Sequence, residues 1–154
     1  MDRLTRELIV DQLDNKIYKL KWYSTEAIPS EGWIKGIRIG LQMTLKQLGH
    51  RLGITTQGAK GIERRETEGA LTLGKMNEIA KAMDMKFVYG FVPNSGSLKK
   101  LIEKQATELA TKIVMQTSTY MALEDQKVSE QRIKKAIKER TEELMIQMPK
   151  HLWD

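Results

Sequence analysis

The chain contains no cysteine, so neither a disulfide frame nor a thiolate metal site is open to it. It has two histidines, His50 and His151, too few and too far apart to suggest a metal centre. No apolar run approaches the roughly 18 residues needed to cross a bilayer, so no membrane partner is expected. Asp2, Arg3 and Arg6 interrupt any apolar start, so no secretory leader is expected and the expected location is the cytosol. There is no internal repeat and no low-complexity tract. A Ser/His/Asp set, a carboxylate pair in a credible pocket and a phosphate loop are all missing. The expectation is a protein that is not an enzyme and uses no cofactor.

What is present is charge, unevenly placed. The 154 residues suffice for one ordinary domain with appended helices. The net charge is +6 and the pI about 9.5. Between Gly32 and Arg65, Lys35, Arg38, Lys46, Arg51, Lys60, Arg64 and Arg65 face a single carboxylate, Glu63, so this window alone carries the whole formal excess. Such a local excess suits a polyanion, and phosphate is the commonest. A solvated basic face without a partner is the plain alternative.

The same window holds a distinctive pattern, TLKQLGHRLGITTQGAKGIERRE, from Thr44 to Glu66. Thr44 followed three residues later by Gln47 has capping-box spacing and starts a helix. Leu48 and Leu52 share one face of it. Gly53 can take the positive φ that stops a helix, Ile54 is an apolar plug, and Thr55 is a good N-cap for a second helix. Ala59 and Ile62 mark the buried face of that helix, and Gly49 offers a small residue for a close helix crossing. An ordinary αα-hairpin uses the same turn physics. The coincidence with the charge favours a DNA-binding helix-turn-helix over it.

On that reading the second helix enters the major groove by its N-terminal end. Thr56, Gln57, Lys60 and Gly61 are the base-contact candidates. Glutamine can bond adenine through both amide groups, lysine can reach the acceptor edge of guanine, and Thr56 can bond a base or pack on a thymine methyl. Gly58 and Gly61 let the helix approach the duplex. Lys35, Thr44, Lys46, Thr55, Arg64 and Arg65 are the phosphate candidates, with Arg38 also turned toward phosphate. The helix start at Thr44 adds free backbone N–H groups. Glu63 is assigned to structure, paired with Arg51 or Arg38.

Around this centre the pattern is mostly helical. Residues 2–21 form an amphipathic arm with Leu4, Leu8, Ile17 and Leu20 on one face, followed by a linker over 24–32. Trp33–Gln42 is a helix whose core face is Trp33, Ile34, Ile37 and Leu41. After a loop over Thr67–Leu71, Thr72 caps a helix with Leu73, Met76, Ile79, Ala80 and Met83 inward. Lys86–Val92, KFVYGFV, is the one convincing strand, ended by Pro93. One strand cannot satisfy its own backbone. Pairing across a two-fold axis, with a partner protein, or with Lys19–Tyr23 are the options. Helical pieces follow from Leu98 to about Met115, from Tyr120 to Gln126, and from Val128 to Pro149.

The fold expected is mostly α: a helix-turn-helix domain, which on the motif Thr44–Glu66 resembles the lambda-repressor-like fold, with an N-terminal helical arm, one β-strand after the motif and a helical C-terminal extension. The expected divisions are 1–31 (arm and linker), 32–93 (DNA-binding domain with its strand) and 94–154 (dimerisation or partner-binding extension).

ITTQGAKGIERRE resembles the Cro/repressor-like, XRE-type helix-turn-helix of phage repressors and many bacterial regulators. GWIKGIRIGLQM, QLGHRLGI, ERRETEGALTL, AKAMDMKFVYGFVP, MALEDQ and the terminal LW are similar to the mobile-element family called mobile mystery protein A, from about Gly32 onward. The resemblance implies a homodimeric repressor of double-stranded DNA. The alternative it implies is an antitoxin-like protein that neutralises a neighbouring Fic-domain partner, with DNA binding as autoregulation. Two departures stand out. Leu45 sits where phage repressors commonly place a phosphate-bracing glutamine. The usual Fic-inhibitory pattern, Ser or Thr, three residues, Glu, then Gly or Asn, is absent: only Glu31–Gly32 and Glu68–Gly69 could end it, and the residues four before the glutamates are Ala27 and Arg64. Neutralisation would then use another surface, such as the C-terminal helices.

Overall fold

The computed structural model describes residues 1–123 and 129–154, except for the Leu123 side chain. The chain is mostly helical and divides into two compact units, Thr25–Gly90 and the pair of segments Met1–Ser24 with Phe91–Asp154.

The unit Thr25–Gly90 holds four short helices: α2 (Trp33–Gly40), α3 (Leu45–Leu52), α4 (Thr56–Thr67) and α5 (Leu73–Ala82). Its core is Ile34, Leu48, Ala59, Ile62, Ile79 and Met83, ringed by Ile37, Met43, Leu45, Leu52, Ile54, Leu71 and Met76. Thr44, Thr55 and Thr72 each place a hydroxyl on the backbone N–H three residues on, which fixes the starts of α3, α4 and α5. Leu45 packs against this core and braces nothing outside.

The start of α2 is different. Gly32 offers no side-chain cap. The Trp33 and Ile34 N–H groups instead donate to the two oxygens of the Glu66 carboxylate, each at 2.9 Å. That anchor sets which residues of α2 face inward. Ile34 is sealed at 1% exposure, whereas Trp33 at 40% and Leu41 at 52% lie outside. Trp33 is therefore not the core anchor expected of it. The helix ends at Gly40, which leaves Leu41 beyond its regular face.

The other unit is built from α1 (Arg3–Tyr18), α6 (Leu98–Leu123) and α7 (Glu130–Gln147), with 3₁₀ turns at Lys21–Thr25 and Lys150–Trp153. Asp2 caps α1 by accepting from the Thr5 N–H at 2.9 Å and the Thr5 hydroxyl at 2.7 Å. Ser97 caps α6 at the Lys100 N–H, and Asp14 of α1 accepts from the Leu98 and Lys99 N–H groups as well. The core is Ala106, Ala110, Leu144 and Leu152. Two alanines one turn apart let α6 and α7 approach closely. The larger residues expected on that stripe, Ile102, Leu109 and Ile113, are half-buried beside them.

Two local expectations fail. Helix α6 runs unbroken through 116–119, where a break was expected. The Thr117 and Thr119 hydroxyls donate to the Ile113 and Met115 carbonyls, so these polar groups are satisfied within the helix itself. The second piece expected to reach Gln126, and the start of the third at Val128, lie outside the described residues. No strand is present among the described residues. Lys86–Val92 carries no regular structure, and no other described segment forms a strand that could complete a ladder with it. Lys19–Tyr23 does not pair with it, since Lys21–Thr25 is a 3₁₀ turn.

Candidate nucleic-acid interface

The turn between α3 and α4 is fixed by backbone bonds. Gly53 has φ 67° and ψ 28°, the left-handed conformation. Its N–H donates to the His50 carbonyl at 3.2 Å, and the Ile54 N–H donates to the Gly49 carbonyl at 2.9 Å. This is the paired-bond Schellman ending of a helix. It folds the chain back over Gly49, where a Cβ would lie 2.8 Å from the Ile54 carbonyl oxygen. Gly49 is therefore required by the turn itself and not, as expected, by a helix crossing.

Helix α4 leaves that turn with two distinct faces. Ala59, Ile62 and Glu63 are buried. Thr56, Gln57, Lys60 and Arg64 are all exposed, and at about 100° per residue they fall within roughly one quarter to one third of the helix circumference. Gly61 adjoins this arc and is half-buried, while Thr55 and Arg65 flank it, both exposed. The Thr55 hydroxyl is occupied by the Gly58 N–H at 3.0 Å. Thr44 and Lys46 are exposed at the start of α3, where the Leu45 and Lys46 N–H groups have no acceptor among the described residues. Thr44 and Gln47 form a complete capping box there.

The seven cations of this window do not share one fate. Arg38 turns inward, bonded to both oxygens of Glu63 and to the Met43 carbonyl at 3.0 Å. The side chains of this pair are 13% and 9% exposed. The hydrogen bond to Glu63 outweighs burial and holds the Arg38 guanidinium above its ordinary pKa. Arg38 is thus a core ion-pair residue and not a phosphate ligand, which settles the partner of Glu63. Arg51 donates to the Ala82 carbonyl at 3.0 Å. Lys35 is half-buried and pairs with Glu31 at 3.1 Å, and Arg64 pairs loosely with Glu68 at 3.6 Å. Arg65 has no carboxylate partner among the described residues but donates from Nε to the Gly61 carbonyl at 3.3 Å. Lys46 and Lys60 have no side-chain partner among the described residues and are free to meet an external anion.

The glycines of α4 separate by the same kind of accounting. A Cβ on Gly58 would lie 3.3 Å from the Thr55 hydroxyl oxygen and 3.5 Å from Ile54, so the cap and the apolar plug already explain it. A Cβ on Gly61 would meet nothing within 4 Å. Packing within this unit gives no reason for glycine there, although it costs about 1 kcal/mol of helix propensity against alanine.

The sequence-based reading missed Glu66, which joins the end of α4 to the start of α2. No local signal marks it, because its partners lie more than thirty positions earlier. Among the described residues there is no group of His, Cys, Asp or Glu able to hold a metal, and no helix long and apolar enough to cross a membrane. No known family, no curated protein and no solved structure matches the chain.

Proposed function

We propose that the chain is a sequence-specific, double-stranded DNA-binding transcriptional regulator, a dimeric autorepressor that reads the major groove with α4 as a Cro/repressor-like helix-turn-helix. One observation carries this reading. Helix α4 is locked by its Ala59–Ile62–Glu63 face and by the turn at Gly53, while Thr56, Gln57, Lys60 and Arg64 line a single exposed arc. The major groove admits one α-helix, and such an arc faces its floor. Gln57 and Lys60 read base edges, Thr56 meets a base or a thymine methyl, and Gly61 keeps the helix backbone close. Lys46, Arg64, Arg65, Thr44 and Thr55 grip phosphates, and Lys35 joins them once it leaves Glu31. Arg38 is withdrawn from this set. With so few base-reading side chains, part of the selectivity comes from duplex shape.

Selection of bound duplexes from a random pool tests the reading. The expected product is a palindrome whose half-sites lie about one helical turn apart, the spacing a two-fold pair of such helices imposes. Equal binding of selected and scrambled duplexes at physiological salt would remove it.

A further inference from the structure

One stretch of the described chain satisfies none of its own backbone. The Met85 N–H reaches the Ala80 carbonyl at 2.8 Å and the Gly96 N–H reaches the Pro93 carbonyl at 2.9 Å, and no backbone bond forms between these two points. The stretch contains Lys86–Val92. Its Phe87 and Tyr89 rings stack with centroids 5.9 Å apart and planes 19° apart. Side chains two residues apart share a side in this way when the chain is extended. Val88 and Tyr89 are each 65% exposed and Phe91 is 85% exposed. An extended, apolar, unpaired segment is a template for another strand, and the remaining described residues offer no strand to fill it.

We infer that Lys86–Val92 pairs antiparallel with the same segment of a second copy, about a two-fold axis through Tyr89. The sequence matches itself in that register. Phe87 meets Phe91 of the partner, Val88 meets Gly90, and Tyr89 meets itself. All the aromatic rings then lie on one face of the ribbon and the valines on the other. The two Lys86 ammonium groups fall at opposite ends, about 20 Å apart at roughly 3.3 Å per residue. Parallel pairing would set them side by side, where like charges repel. Pro93 cannot donate to the ladder and ends it. The contact is isologous, so it closes at two copies in the way a dimeric regulator requires. A ribbon of two strands is marginal alone, so the association is set by concentration.

The test uses the full chain without DNA. Sedimentation at tens of micromolar is expected to give twice the 17.7 kDa chain mass. Val88→Pro and Tyr89→Pro each strip donors from both strands, and at least one is expected to weaken association about tenfold or more. Their far-UV circular dichroism should be unchanged, because the segment contributes no helix. The absence of native cysteine makes a cross-linking test clean. Tyr89→Cys is expected to form a disulfide dimer under mild oxidation. Lys86→Cys is not, since cysteines bridge only when their Cα atoms are within about 7 Å. The double variant Lys86→Cys/Val92→Cys restores the cross-link. A monomeric wild-type mass overturns the inference, whatever else binds the segment. So does a dimer untouched by both prolines, or equal cross-linking at 86 and 89. A monomer that still binds a selected duplex would sink this inference and leave the proposed function standing.

Discussion

The four short helices of Thr25–Gly90 and the three longer ones of the other unit close their cores by different means. In the first, Ile34, Leu48, Ile62 and Ile79 are fully buried around one centre, and an Arg38–Glu63 pair is sealed at its side. In the second, the centre is the alanine pair Ala106 and Ala110, with Leu144 and Leu152 against them. Short helices cannot stand on propensity and need large side chains from several directions. Long helices can lie along each other, and small residues set how closely. Both units share one device: a helix start held by a carboxylate from a distant segment, Glu66 for α2 and Asp14 for α6. The difference also bears on function, because the tightly packed unit carries the exposed basic arc.

The strongest way to break this contrast is to strand the buried charge. Glu63→Ala leaves Arg38 without its carboxylate and is expected to destabilise by about 3–5 kcal/mol in urea unfolding. Arg38→Met/Glu63→Leu should recover most of that loss. Ile62→Ala is expected to cost about 2–5 kcal/mol. Its counterpart in the other unit is overpacking: Ala106→Leu should cost about 1–3 kcal/mol by prising the long helices apart. Gly49→Ala is expected to cost a similar 1–3 kcal/mol or so, because its methyl meets the Ile54 carbonyl. Gly61→Ala should do the opposite, stabilising by up to about 1 kcal/mol while weakening DNA binding. A variant that gains stability and keeps full affinity would show that the helix backbone does not approach the duplex at this point.

The smallest effect is a pH dependence at the α1 start. Hydrogen bonds from the Thr5 N–H, and then from its hydroxyl, hold the Asp2 carboxyl below its ordinary pKa. The folded value is the lower one, so this contribution is complete above the unfolded value. It is lost as pH falls through the folded value. Protection of the Thr5 amide against exchange should therefore fade only as pH drops below the usual carboxylate range of about 3.9. Asp2→Asn should remove that dependence.

The features legible in the sequence are those whose cause lies within a few residues. Thr44, Thr55 and Thr72 each announce a helix start because the N–H they accept is three positions on. Gly53 announces the turn because a positive φ is needed there. Leu48, Ala59 and Ile62 follow from helical period. The exposed positions of Thr56, Gln57 and Lys60 follow from the same period. The features that were not legible depend on distant partners. Arg38 looks like any cation on a helix until Glu63 comes alongside it. Trp33 looks like core until Glu66 fixes the rotation of α2. Thr117 and Thr119 are the exception: their partners, the Ile113 and Met115 carbonyls, lie only four residues back, and the modest helix propensity of threonine made the stretch look like a break. Lys86–Val92 has the composition of a strand, but a ladder is a property of two segments and the single chain supplies one.

The central claim is that α4 reads bases while the cations around it grip the backbone. The direct measurement is a titration of wild type, Gln57→Ala and Lys46→Ala against a selected duplex and a scrambled one, each at several salt concentrations. Gln57→Ala is expected to lose about 1–3 kcal/mol on the selected duplex alone, and Lys46→Ala to weaken both duplexes equally and reduce the salt slope by about 1. If both variants weaken both duplexes alike, or if neither changes either, α4 is not the reading helix.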